Sequence, residues 1–287
     1  MIGPRQQGIL HVHLATLLFG GTALFAKWIT LPADVITFWR TFVAIVFMYL
    51  LCRMRGQSLR LERQRDAWIQ IGLGGILGTH WVTYYAAIQH STVAIGITAL
   101  FAAPIFSVLI GAALHRVWPD RIDLALGALV FIGVWILSPN MSWENEYTRG
   151  VLLGVTSALF LALRQVLHTR TRVRTSSGLV LLFYQLIGIV ALFALSGLTA
   201  EPAALQANWA LLLVLGIFFT ALPHFLNISS LRVLEAKTVL IITSLMLPYG
   251  IVLSAFFLNE IPSARTLFGC ALVMFAATVE NLRAGHA

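Results

Sequence analysis

Apolar residues along this chain gather into blocks of about twenty, each closed by a short polar or charged stretch. A block of that length, wound as an α-helix at 1.5 Å per residue, covers about 30 Å of hydrocarbon. Ten such spans are predicted, near residues 9–29, 33–52, 67–89, 92–114, 122–138, 150–169, 178–196, 209–231, 236–258 and 264–282. A chain built this way has no aqueous core to bury against. It is held by helix packing and by backbone groups satisfied inside each helix. The predicted fold class is an all-α integral membrane protein.

Composition agrees. Of 287 residues 59% are hydrophobic and 10% charged, with a mean hydropathy of +0.87, where a soluble domain carries about a quarter charged residues. Cys52 and Cys270 both lie within apolar blocks, which excludes a disulfide framework or a metal cluster. The net charge of +8 would suit nucleic acid, but the charges sit in short connections where Lys and Arg set topology. One side collects Arg5, Arg53, Arg55, Arg60, Arg63, Arg65, Arg116, Arg121, Arg170, Arg172, Arg174, Arg232, Lys237 and Arg283; the other offers Arg149 and Arg265. With an even number of spans, this asymmetry places both termini in the cytoplasm. Lys27 follows the first apolar run with no small-x-small site, so that run is read as a span and not a cleavable signal.

The chain also repeats. "HSTVAIGITALFAAPIFSVLIGAALHR" (90–116) parallels "VLEAKTVLIITSLMLPYGIVLSAFFLNE" (233–260), with Pro104 and Pro248 144 residues apart. "TLLFGGTALFAKW" parallels "TSALFLALRQVLH" at an offset of 141, setting Thr16 on Ser157 and Lys27 on His168. Two halves are expected, 1–140 and 147–287. Five spans is an odd number, so the second copy must enter the membrane upside down. Such inverted five-helix repeats place a central cavity at their interface.

Polar side chains inside a span should face protein or water. His13, Thr16, Gly20 and Lys27 share one face of the first span; Ser157, Phe160, Arg164 and His168 share one of the sixth. The third span carries His80, Thr83 and Tyr84, with Trp81 and Tyr85 beside them, and its counterpart carries His224 and Asn227 one turn apart. Thr98 and Phe101 precede Pro104, and Ser244 precedes Pro248. The candidate substrate-binding set is therefore His80, Trp81, Tyr84, Thr98, Phe101, Phe160, Arg164, His224, Asn227 and Ser244, with Pro104 and Pro248 as hinges because each leaves a carbonyl one turn upstream without a donor. Plainer readings stand beside this one. Tyr84 or Tyr85 could be an interfacial anchor, and His80 an ordinary packing partner. Lys27 and Arg164 are near enough to helix ends to snorkel. Arg40 is deeper and is expected to cap carbonyls or line an aqueous space. Gly74/Gly78 and Gly150/Gly154 suit close helix packing.

Enzyme signatures are absent from the sequence: no HExxH, GxSxG or Gly-rich phosphate loop, and no carboxylate pair within a span. No enzyme, cofactor, metal or nucleic-acid partner is expected. Every acid lies in a loop or near a span end, so a proton-coupled mechanism would have to use His80 or His224; facilitated diffusion needs neither.

The spans together with "LLFGGTALFAKW", "TFWRTFVA", "YYAAIQHSTVAIGITALFAAPIF" and "EAKTVLIITSLMLPYGIVLSAFFLNEIPSARTLFGCALVMFAA" resemble the drug/metabolite transporter superfamily, specifically its EamA branch. The resemblance covers nearly the whole chain. It implies a ten-helix inverted-repeat carrier in a bacterial inner membrane, exporting amino acids or related metabolites by alternating access, with Tyr84, Phe101 and Phe160 lining its cavity. The partners it implies are a small-molecule substrate and membrane lipid; a monomer would suffice. Where the family often ends its fourth span with an acid, this chain reads Leu114, His115, Arg116, and only Glu260 of the ninth span keeps one. Two other readings stay open: an efflux carrier for drugs or hydrophobic cations, and a non-transporting membrane scaffold.

Overall fold

A computed structural model describes residues 3–137, 142, 144–171 and 177–284; Arg172 and Arg174 lie outside the described residues. It is all-helical, with no strand among the described residues. The helices are α1 (Pro4–Thr22), α2 (Phe25–Trp28), α3 (Ala33–Met54), α4 (Gln64–His90), α5 (Val93–Leu100), α6 (Ala103–His115), α7 (Arg121–Leu137), α8 (Glu146–Arg170), α9 (Gly178–Leu192), α10 (Ala194–Leu198), α11 (Pro202–Gly216), a π-helical segment (Ile217–Ala221), α12 (Leu222–Ser230), α13 (Ala236–Thr243), α14 (Met246–Leu258) and α15 (Ala264–Ala284). They cover all ten expected segments. Seven of these are long and apolar enough to cross a membrane, by length and composition. Of the others, α4 is long enough at 27 residues but richer in polar side chains, and α7 and α9 have 17 and 15.

Breaks in the long segments have local causes. Pro104 lies in the first turn of α6, and Pro248 in that of α14, where a missing N–H costs nothing; each forces a two-residue interruption upstream. The two interruptions correspond. Adding 143 to the bounds of α5 and α6 returns those of α13 and α14, and both pairs close on a left-handed residue, Arg116 (φ 56°) and Asn259 (φ 55°). Pro223 acts differently. The carbonyl of Phe219, one turn before it, accepts a hydrogen bond from Thr22 Oγ1 of α1 at 3.0 Å, so the widened π-segment joins α11–α12 to α1.

The most extensive packing sets α4 against α8 and α9, α7 against α15, and α1 against α12 and α14. Glycine makes these crossings close. A Cβ at Gly74 would lie 2.0 Å from Gln185 O, and one at Gly188 2.0 Å from Ile71 O, so α4 and α9 meet backbone to backbone. Gly150 and Gly154 admit Ser91 and Ala99 in the same way, and Gly20 faces Gly250. Outward lie large apolar side chains, among them Phe131, Trp135, Phe256, Phe268 and Phe275, as a hydrocarbon surround requires.

Ion pairs among the described residues sort to the two ends of the bundle, with further polar groups around them. At one end Lys27, Thr30, His90, Ser91, Glu146, Asn208 and Glu260 interact. At the other, Arg283 bridges α15 to Asp120 and Asp123 at the start of α7. There the Asp123 N–H, assisted by Arg283, holds the Asp120 carboxyl below the usual carboxylate range.

Candidate functional site

Helix α4 organises the polar centre. Residues three or four apart share a helix face, so His80 and Tyr84 form one row and Trp81, Tyr85 and Ile88 the next. All five are buried, which overturns the reading of Tyr84 or Tyr85 as an interfacial anchor. The small residues Gly150, Gly154 and Ser157 bring α8 close enough for a reciprocal pair. Ser157 Oγ donates to His80 O at 2.9 Å, and His80 Nδ1 lies 2.7 Å from Ser157 Oγ and 3.1 Å from Ser157 O. A hydroxyl already spent as donor can only accept from the ring, so Nδ1 carries a proton and donates. Ser157→Ala should lower the melting temperature in detergent by an amount corresponding to about 1 kcal/mol. An unchanged melt would mean that the pair does not hold α4 to α8.

The second row meets α3 and the second half of the chain. The Arg40 guanidinium lies 4.2 Å from the centroid of Trp81 and 5.1 Å from that of Tyr85. Tyr85 Oη donates to Thr22 O at 3.1 Å. Trp81 also approaches His224 (ring centroids 5.9 Å apart), which stacks edge-on with Phe19 at 4.9 Å while Nδ1 bonds Thr220 O at 2.7 Å. Arg40 is 3% exposed in this conformation and lies on aromatic faces, where an aqueous lining was one expectation.

Six of the ten candidate residues fall into this centre or beside it. His80, Trp81, Tyr84 and His224 adjoin one another, and Asn227 lies one turn below His224 with its Oδ1 buried and without a partner. Arg164 does not snorkel; its Nε and Nη2 both donate to Gln185 Oε1, at 3.1 and 2.6 Å, and Gln185 in turn donates to Gln70 at 2.6 Å. The other four sit differently. Thr98 turns to α15, where its hydroxyl lies 2.9 Å from Cys270 Sγ. Ser244 bonds within its own turn, to Ile241 O. Phe101 is half-buried at the α5–α6 break, and Phe160 half-buried on α8. Thr98 and Ser244 satisfy the chain locally because a hydroxyl in a span readily bonds back to the preceding turn.

Two open volumes lie away from this centre. A groove of about 540 Å³ runs between α6, α7 and α8 and is lined by apolar side chains such as Phe106, Phe131 and Trp135. Another of about 150 Å³ lies between α3, α9 and α12 beside Arg55. Neither contains any of the ten candidates.

Sequence reasoning passed over Arg40 as a site residue, and over Gln70, Gln185 and Thr22. The available signal was isolation: Gln185 stands alone in the apolar stretch "GLVLLFYQLIGIVAL". Lys27 is also placed anew. It donates to Ser91 O at 2.6 Å and pairs with Glu260 at 3.7 Å, while Glu260 accepts the Val93 N–H at the start of α5 at 2.9 Å. One acid therefore ties together α2, the α4–α5 turn and the end of α14.

The profile of the EamA-like transporter family matches residues 6–138 and again residues 148–281. The chain belongs to this family. Among its relatives, an uncharacterized transporter, YxxF, of Bacillus subtilis (strain 168) is 23% identical over 97% of this chain and 91% of its own length. The pseudopaline exporter CntI of Pseudomonas aeruginosa (strain UCBPP-PA14) is 26% identical over 94% of each chain. A crystal structure with 21% sequence identity superposes with a TM-score of 0.63 over 97% of this chain and 98% of its own, a likeness of fold. The protein is thus a multi-pass membrane transporter of the EamA type, and family and relatives point away from an enzyme.

Proposed function

We propose that this EamA protein is a secondary exporter of amino acids, aromatic and other neutral or small ones, or of related metabolites. In this reading ten segments cross the bacterial inner membrane with both termini in the cytoplasm. Residues 1–140 and 147–287 are inverted five-helix repeats. The double match to one family profile and the 143-residue correspondence of the broken helices support the repeat. An odd number of crossings per copy supports the inversion. Export is supported by a relative named as an exporter.

One observation carries the location of the site: His80, Trp81, Tyr84 and His224 adjoin at the contact between the two halves, and Tyr84 Oη and Asn227 Oδ1 are buried there without partners. Buried polar atoms are normally satisfied, and a bound substrate would satisfy these. Rocking at the breaks before Pro104 and Pro248 would open the centre to each side in turn. Purified protein in liposomes should show counterflow of amino acids. His80→Ala and Tyr84→Ala should reduce it at least tenfold at wild-type folded yield. Undiminished counterflow in both would remove α4 from the site, and failure of the wild-type protein to move any of a broad amino-acid panel would reject the substrate class.

A further inference from the structure

The chain has 11 acidic residues, and every one lies in a connection or within five residues of a helix end. The interior cations therefore have no counter-ion. Arg40 lies about 10 Å along α3 from its N-terminal end; the nearest acid in the chain, Asp34, sits in the first turn and accepts the Val35 N–H. Arg164 is held by the neutral Gln185. Cation–π contact with Trp81 and Tyr85 is worth about 0.5–2 kcal/mol, against an effective cost of several kcal/mol for a buried unpaired charge. The Tyr85 hydroxyl is neutral and donates to Thr22 O, and Arg40 Nε has no hydrogen-bond partner.

A second donor is idle nearby. Tyr84 Oη is buried and unpartnered, and its ring lies 6.0 Å from that of Tyr85, on which the Arg40 guanidinium rests. A forked guanidinium with a neighbouring hydroxyl is the donor set that a carboxylate accepts. What the centre lacks is equally informative. No carboxylate stands there for an ammonium group, and the idle acceptor, Asn227 Oδ1, is neutral.

We propose that Arg40 and Tyr84 bind the carboxylate of the transported molecule and that no amine is required. Carboxylates without an amine then bind at least as well as the parent amino acid, and amines without a carboxylate do not bind. This rests on the reading of the centre as the substrate site and narrows it from zwitterions to organic acids.

The test uses the purified full chain in detergent and four probes of one body: phenylalanine, phenylpyruvate, 3-phenylpropanoate and phenethylamine, followed by calorimetric titration and melting temperature. The two amine-free acids should bind as tightly as phenylalanine or more tightly, and phenethylamine should give no response. Tyr84→Phe removes no protein hydrogen bond, so its melt should equal wild type while acid binding weakens about five- to tenfold, the value of one hydrogen bond. Arg40→Lys keeps the charge but not the fork and should weaken binding more than tenfold; Arg40→Met should abolish it. Binding of phenethylamine equal to that of the acids, undiminished acid binding by Tyr84→Phe, or no response to any acid would each overturn the proposal. Amino-acid counterflow with unchanged binding by Tyr84→Phe would leave the transport reading standing and remove this one. Acid binding as described without counterflow would do the reverse.

Discussion

Gly188→Ala should abolish most recovery of folded protein, and Gly74→Ala should do nearly the same. A methyl at either position meets backbone and not a side chain that could rotate away: Ile71 O at 2.0 Å in the first case, Gln185 O at 2.0 Å in the second. Relief requires α4 and α9 to separate by more than about an ångström, which also stretches the Gln185–Gln70 bond (2.6 Å) between them. Overpacking of this kind costs about 3 kcal/mol or more per site. Gly72 on the same helix supplies the control, since a Cβ there meets nothing within 4 Å. Gly72→Ala should be neutral or slightly stabilising, from helix propensity alone. Monodisperse yield and melting temperature in detergent decide the matter. Wild-type melts for both crossing variants would mean that α4 and α9 do not meet as described.

The second large effect is expected at Glu260. Its two carboxylate oxygens serve Lys27 and the Val93 N–H, so Glu260→Ala cuts the tie between α2, the start of α5 and the end of α14 in one step. Charge-assisted bonds contribute about 1.5–3 kcal/mol each. Losing one moves a two-state equilibrium about tenfold or more. Cysteine introduced at Ser91, which is buried beside this tie, should react with a membrane-impermeant thiol reagent about ten times faster in the Glu260→Ala background. Glu260→Gln, which keeps an acceptor for Val93, should be intermediate. The native Cys52 and Cys270 are both buried and give a low background. Equal labelling in all three would show that Glu260 is not what closes this end.

These two sites differ in how far they could be read beforehand. Gly74 and Gly78 were expected to serve close packing because small residues four apart form a groove on any helix. That the groove receives α9, with Gly188 answering from the other side, depends on partners more than a hundred residues away, Gln185 for Gly74 and Ile71 for Gly188, and no local pattern contains it. Lys27 illustrates the opposite case. Its place near a helix end argued for snorkelling, yet the fold brings Glu260 and Ser91 O to it, and a paired lysine no longer needs the interface. The polar stripe of α4 was legible from spacing alone, since His80/Tyr84 and Trp81/Tyr85 are fixed as rows by 3.6 residues per turn. Thr98 and Ser244 were not, because a hydroxyl satisfied by its own helix looks in sequence like one aimed at a ligand.

The sequence by itself determined the membrane character, the helical segments and the internal repetition, because apolar length, period and duplication are local or self-referential properties. It also determined that the interior carries cations without acids, since that follows from where eleven carboxylates fall along the chain. Tertiary structure set Arg40 apart from Arg164, which Gln185 holds. Arg40 was one arginine in one span until α4 supplied the faces of Trp81 and Tyr85 and left Tyr84 Oη idle beside them. Such a site is a sum of distances between helices, and those distances are set by glycine crossings whose two halves lie far apart in the chain.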